Sequence, residues 1–220
     1  MRKPQLIKAY GDFMFLSYPL RCCAKELSIN LKTAFHWRQK LLSNPQKNKP
    51  VELLLIVEAD KTFVTESNKG FCSLNRKTRK RGGGKNRKVP ILIALDRQGA
   101  ITHTVINKNT KEEITNALAP VLSHNSILCT DGNLSYVKVV KSLTFTIEHK
   151  RLIAEPNKKA KIEDVYSIQR LNNYMMRWKS FMKPLKGVAT QYLDRYLQTE
   201  SIPDLMWIIE GAIRPPTPLI

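Results

Sequence analysis

Apolar residues recur along this chain in two rhythms, one every three to four positions and one every two. The helical rhythm comes first. In PLRCCAKELSINLKTAFHWRQKLL, Leu20, Cys23, Ala24 and Leu27 form one stripe, Ile29 sits in a turn, and Asn30 is placed to cap a second helix. That helix is expected to bury Leu31, Ala34, Phe35, Leu41 and Leu42 and to turn Lys32, Thr33, His36, Gln39 and Lys40 outward. This is a helix-turn-helix pattern, whose second helix can lie in a major groove; an ordinary helical hairpin has the same rhythm. Residues 44–50, with two prolines and no apolar side chain, make a linker.

The strand rhythm then takes over. VELLLIVEADKTFV (51–64) opens a new domain, and VPILIALDR and AITHTVIN follow as two strands joined at Arg97-Gln98-Gly99. Thr110-x-x-Glu113 is a capping box ahead of a helix striped by Ile114, Ala117, Leu118, Val121 and Leu122. SILCT is a fourth strand ending at Asp131-Gly132. A short helix and the strand TFTIEH come next. A long helix is expected from about Asp164, with Ile168, Leu171, Met175, Trp178 and Met182 as its buried stripe. IPDLMWIIEGAI, near the C-terminus, has the pattern of a further helix. The order predicts an α/β domain whose sheet mixes antiparallel and parallel strands.

Composition narrows the function. The chain has 220 residues, 42% of them hydrophobic, enough for a core and too many for wholesale disorder. Its longest apolar runs are strand-length, so no transmembrane helix is expected, and MRKPQLIKAYGDF lacks a secretory signal's apolar stretch. Cys22, Cys23, Cys72 and Cys129 contain no C-x-x-C pair, against both a disulfide scaffold and a zinc ribbon. A soluble, cytoplasmic protein without membrane contact is expected.

Charge changes the picture most. Lys and Arg number 37 against 18 Asp and Glu, a net +19, concentrated as +8 in residues 1–50 and +6 in 51–100. A polyanion is the natural partner, and nucleic acid the commonest. Residues 69–88 hold nine basic residues and no acid, and Gly82–Gly84 prevent a helix through them. Arg76, Lys77, Arg79, Lys80, Arg81, Lys85, Arg87 and Lys88 are therefore expected in a loop that hugs a phosphate backbone; a merely solvated loop is the alternative.

The candidate chemistry lies at strand ends. Asp60 is placed at the end of the first strand and Asp131 at the end of SILCT, where ligands of open α/β sheets gather. If the two strands are neighbours, the carboxylates converge as a hard-oxygen Mg²⁺ site suited to phosphate chemistry. The alternative is that Asp131-Gly132 is only a turn. Asn172 and Lys179 lie seven residues apart on the long helix, each about 40° from a stripe residue and so on the rim of its buried face. His36, His103, His124 and His149 have no metal-ligand spacing, although His149 follows a strand toward the acids.

Six pieces of the chain, in order, resemble one family: VEADKTFV, RKTRKRGGGK, LIALDRQGA, LCTDGNLSY, SIQRLNNYMMRWKSF and GVATQYLDRYL. They look like an insertion-sequence transposase of the DDE superfamily, in the ISXO-like subgroup where Asn replaces the third acid. LRCCAKELSINLKTAFHWRQKLL is similar to that subgroup's helix-turn-helix, and the resemblance covers roughly residues 15–197.

The resemblance implies a ribonuclease-H-like fold, with residues 1–43 as the helix-turn-helix, 51–200 as the catalytic domain and 201–220 as a C-terminal helix or tail. It implies Asp60, Asp131 and Asn172 as metal ligands, with Lys179 the basic residue two turns on. Mg²⁺, or Mn²⁺ in its place, would serve cleavage at element ends and strand transfer into target DNA. The implied partners are double-stranded DNA, as terminal repeats and target, and further copies of the chain on paired ends, in a bacterial nucleoid.

Three departures accompany the likeness. Lys61 stands where the family usually has an acid, and Ser167 and Arg170 stand where the subgroup has His and Asn. No cysteine-rich zinc ribbon precedes the helix-turn-helix, so the chain looks N-terminally shortened. A catalytically inactive DNA-binding derivative that occupies element ends is the alternative function, and a basic RNA-binding protein a third.

Overall fold

A computed structural model describes residues 3–43, 52–70, 87–107, 110–153 and 165–197. They fall into two compact units, residues 49–176 in one and residues 1–48 with 177–220 in the other.

The unit 49–176 is built on a five-stranded sheet. Its strands are β1 (Ile56–Thr65), β2 (Lys88–Asp96), β3 (Ile101–Val105), β4 (Ile127–Thr130) and β5 (Glu148–Arg151), in the order β3-β2-β1-β4-β5. The β1–β2 and β2–β3 pairs are antiparallel, while β1–β4 and β4–β5 are parallel. This is the mixed sheet with flanking helices that a ribonuclease-H-like fold requires. The short antiparallel connection is fixed by Asp96, whose Oδ1 accepts from the amides of Gln98 (2.9 Å) and Ala100 (2.8 Å). Gly99 supplies the left-handed conformation, at φ 97°, that closes the turn.

Alternation along β1 assigns the sheet's two faces. Val57 and Ala59 join Leu92, Ala94 and Leu128 on the face covered by α4 (Lys111–Leu118) and α5 (Leu134–Val140). Ile114, Leu118, Tyr136 and Val139 of those helices complete this core. The expected Thr110 cap forms, its Oγ1 accepting from the Glu113 amide, and α5 has a cap that was not expected, Asn133 Oδ1 accepting from the Ser135 amide. Glu58 and Asp60 occupy the opposite face, where α6 (Gln169–Met182) begins.

Several boundaries differ from the sequence reading: β5 is Glu148–Arg151, where TFTIEH was expected, so His149 lies inside the strand, and α4 ends at Leu118, short of Val121 and Leu122. Asp60 lies inside β1, because β1 continues to Thr65 in partnership with β2 after β4 has ended. The long helix starts at Gln169, while Val165–Ile168 before it are not helical.

In the other unit three helices precede the sheet domain in sequence: α1 (Lys3–Phe15), α2 (Leu20–Glu26) and α3 (Leu31–Ser43). Only α2 and α3 were expected. Their core gathers Tyr10, Met14, Cys23, Ala34, Leu41 and Leu42 with Leu185 and Tyr196 from the chain's later part. Asn30 caps α3 by accepting from the Lys32 amide at 2.8 Å. Trp178, fully buried, donates its indole N–H to the Tyr196 carbonyl at 3.0 Å.

Two residues of α3 lie on the side opposite to that expected. Leu31 is exposed, because it begins the helix before the packed turns. Gln39 was expected to face outward, but it is buried, with Oε1 accepting from Arg195 at 2.8 Å. Arg38 is buried as well. The linker at 44–50, loop residues 71–86 and the C-terminal helix pattern lie outside the described residues.

Candidate active site

The two aspartates meet through strand register. β1 and β4 run parallel with Glu58 opposite Cys129 and Ala59 opposite Thr130. The next step along both backbones is therefore Asp60 beside Asp131. At that step β4 ends, so a half-buried carboxylate pair stands where the sheet loses a strand. Each side chain is steadied by a nearby amide: Asp60 Oδ1 accepts from Lys61 N at 2.6 Å, and Asp131 Oδ1 from Asn133 N at 3.1 Å. The second bond makes Asp131-Gly132 a turn as well as the carrier of a carboxylate.

Lys61 and Tyr136 lie against this pair from the α4–α5 side. Lys61 is 9% exposed, and its ammonium sits 4.9 Å from the centre of the Tyr136 ring. Burial lowers the Lys61 pKa, while Asp131 and Asp60 pull it back up. Burial raises the Tyr136 phenol well above its ordinary value, and the same two carboxylates push it further. The pair is thus partly neutralised by a cation the chain itself supplies.

β5 completes the surroundings of β4. His149 Nε2 and Thr130 Oγ1 are 2.9 Å apart, which joins His149 to the residue before Asp131. Burial lowers the His149 pKa, and neighbouring Arg151 lowers it further. Arg151 itself donates to the Gly132 carbonyl at 3.0 Å.

Asn172 lies in the first turn of α6, directly after Leu171, whose amide donates to Glu58 Oε2 at 3.0 Å. Glu58 is on the same strand face as Asp60, two residues earlier, so this bond starts α6 on the face that carries the acids. Asn172 is exposed there. Lys179 is exposed on the part of α6 that belongs to the other unit.

The donor chemistry fits a hard divalent cation. Among the described residues no three His, Cys, Asp or Glu side chains gather as a metal-holding group. The adjoining Asp60 and Asp131 carboxylates are hard oxygen donors of the kind Mg²⁺ accepts, and Lys61 is the feature that opposes its charge.

The remaining sequence candidates separate. Lys32, His36 and Lys40 are exposed on α3 and Thr33 is partly so, unlike Gln39. Arg87 and Lys88 are exposed at the start of β2, with Arg87 3.9 Å from Glu66. Arg76, Lys77, Arg79, Lys80, Arg81 and Lys85 lie outside the described residues. Sequence reasoning passed over Glu58, although the i, i+2 spacing of Glu58 and Asp60 already places two carboxylates on one strand face.

Comparison with known proteins adds one substantial match. Residues 52–200 match the family model of the ISXO2-like transposase domain. Among curated proteins none matches the chain. Loosely similar solved structures include a pre-cleavage Mos1 transpososome, with 10% identity, a TM-score of 0.31, and coverage of 89% of this chain and 75% of that one. The Mos1 strand transfer complex has 10% identity, a TM-score of 0.28, and coverage of 90% and 74%.

Proposed function

Because the chain belongs to the ISXO2-like transposase domain family, we propose that it is a DNA transposase that cleaves insertion-sequence ends and joins them to target DNA. The observation that carries the proposal is the parallel register that sets Asp60 beside Asp131 at the end of β4. A carboxylate pair at a strand's carboxyl end, in a protein of net charge +19, is suited to holding a divalent cation against a phosphate.

Asp60 and Asp131 supply the charged ligands and Asn172 a neutral carbonyl oxygen, a weaker donor than a carboxylate. Mg²⁺, or Mn²⁺ in its place, would lower the pKa of the attacking water and stabilise the leaving oxygen. The freed 3′-hydroxyl then attacks a phosphorus of target DNA, forming one phosphodiester bond as another breaks. Lys179 offers a point charge to a DNA phosphate. The cations of residues 76–88 clamp the backbone without reading sequence. Lys32, Thr33, His36 and Lys40 of α3 form the candidate groove-facing surface; Gln39 contributes by holding Arg195. Paired ends call for more than one copy of the chain.

A second reading is a DNA-binding derivative that occupies element ends without cutting them. The Lys61 ammonium beside the acids favours it, because a resident cation repels a metal.

The test is strand nicking of labelled duplex carrying the terminal repeats that flank the gene, with Mg²⁺ or Mn²⁺. Nicks at element ends that vanish in Asp131→Asn support the transposase. Salt-sensitive binding without nicks, at any metal concentration, supports the derivative; nicking gained by Lys61→Met would identify Lys61 as what silences it.

A further inference from the structure

Glu58 is almost completely buried, yet it has no role in holding the proposed metal. Its two oxygens divide between two partners. Oε2 accepts from the Leu171 amide at 3.0 Å, and Oε1 lies 3.2 Å from Arg97 Nη2. The same Arg97 nitrogen donates to the Val165 carbonyl at 3.0 Å and to Ser167 Oγ at 3.5 Å. Arg170 Nη1 closes the set by donating to the Arg97 carbonyl at 2.8 Å. One residue of β1 and one from the β2–β3 turn therefore hold both the approach to α6 and its first turn.

This arrangement replaces a local cap. The first amides of a helix have no partner within the helix, and their positive end favours an anion. Ile168, just ahead of α6, has no side-chain acceptor, and no acid occupies the first turn. The carboxylate arrives instead from a residue 113 positions earlier in the chain. Ser167 and Arg170, the two departures from the subgroup pattern, are both members of the set.

We propose that Glu58 and Arg97 form a latch that positions Asn172 for the metal. Glu58 and Arg97 act through Leu171 and are positioning residues, and their role rests on the reading of Asn172 as the third ligand. Leu171, the residue the latch grips, immediately precedes Asn172. Arg97 is the side chain to change, because it is partly exposed while Glu58 is buried.

The experiment measures Mn²⁺ affinity by calorimetry, and amide exchange at the start of α6, in the full chain. Arg97→Ala, Asn172→Ala and the double variant are compared, with Glu58→Gln keeping an acceptor for Leu171. Arg97→Ala should speed exchange at Leu171 and Asn172 and weaken Mn²⁺ about tenfold, the scale of loss when a ligand's supporting residue is removed. The double variant should bind no more weakly than Asn172→Ala alone, since both changes disable one ligand. Glu58→Gln should retain most of the Leu171 protection. Additive losses, unchanged exchange in Arg97→Ala, or unchanged Mn²⁺ affinity in Arg97→Ala when Asn172→Ala weakens it, would overturn the latch. If Asn172→Ala leaves affinity unchanged, the ligand reading fails and the proposal with it, whereas failure of the latch alone leaves the Asn172→Ala loss intact.

Discussion

Each unit of this protein holds a charge deep in its interior, Glu58 in the sheet unit and Arg38 in the helical unit, and the two are handled in opposite ways. In the sheet unit, buried Glu58 is matched by the Arg97 guanidinium and by a helix amide. In the helical unit, buried Arg38 donates Nη2 to the Tyr18 carbonyl at 2.7 Å and approaches Cys23 Sγ at 3.3 Å. Its guanidinium also sits 5.8 Å from the centre of the Tyr10 ring. Among the described residues no carboxylate forms an ion pair with it. A paired charge fixes two pieces of chain against each other, whereas a charge surrounded by dipoles and rings is tolerated where it lies. The difference places the geometric demand in the sheet unit, where the proposed chemistry is.

The comparison breaks first at activity. Asp131→Asn should reduce strand nicking on the order of a thousandfold or more, as expected for one member of a catalytic set. Lys32→Glu together with Lys40→Glu should lower duplex affinity and flatten its salt dependence. Nicking and a log-affinity against log-salt plot read the two effects. Equal loss of affinity in Asp131→Asn would mean that the acids serve folding or binding instead of chemistry.

Stability gives the next largest contrast. Glu58→Ala leaves the Leu171 amide without its acceptor and Arg97 without its carboxylate, and should cost roughly 3 kcal/mol, the lower end of the scale for breaking a buried pair because Arg97 keeps some access to water. Arg38→Met leaves only neutral acceptors unsatisfied and should cost about 1–3 kcal/mol. Urea unfolding followed by exchange within each unit separates the two; equal costs would erase the distinction. Glu58 also predicts a pH effect. Burial raises its carboxyl above the ordinary value of 4.5, although Leu171 N, Arg97 and Arg170 pull it down. Its relative contribution is fully present below pH 4.5 and is lost as pH rises through the folded value. Glu58→Gln should remove that component from a series of thermal melts.

Much of this was legible because it is local. Period-two alternation marked the strands, Arg97-Gln98-Gly99 marked the hairpin, and Asn30 marked the start of α3. The meeting of Asp60 and Asp131 followed from two strands being neighbours, a condition the sequence could state but not test. What escaped reading depends on contacts distant in sequence. Glu58 caps a helix 113 residues away, so no local signal announced it. Gln39 was read as solvent-facing because polar side chains usually are, yet Arg195 provides its buried partner. Arg38 was given no side by the sequence, and its burial beside the Tyr18 carbonyl and the Cys23 thiol likewise depends on residues outside its helix. Asp60 was put at a strand end because its pairing with β2 could not be counted from β1 alone.

The smallest effect is also the most direct report on the two buried charges, because each has a buried cysteine beside it. Burial raises the Cys129 thiol to about 11, with Glu58 adding to the rise. Burial likewise raises Cys23, but there Arg38 acts against it. The signs of the two substitutions are therefore opposite. Glu58→Gln removes an anion and should lower the Cys129 pKa; Arg38→Met removes a cation and should raise that of Cys23. Thiolate absorbance, titrated in variants that keep only Cys129 or only Cys23 of the four cysteines, measures both shifts. Changes of the same sign would show that altered burial outweighs the lost charge, and the contrast between the two units would then concern packing instead of electrostatics.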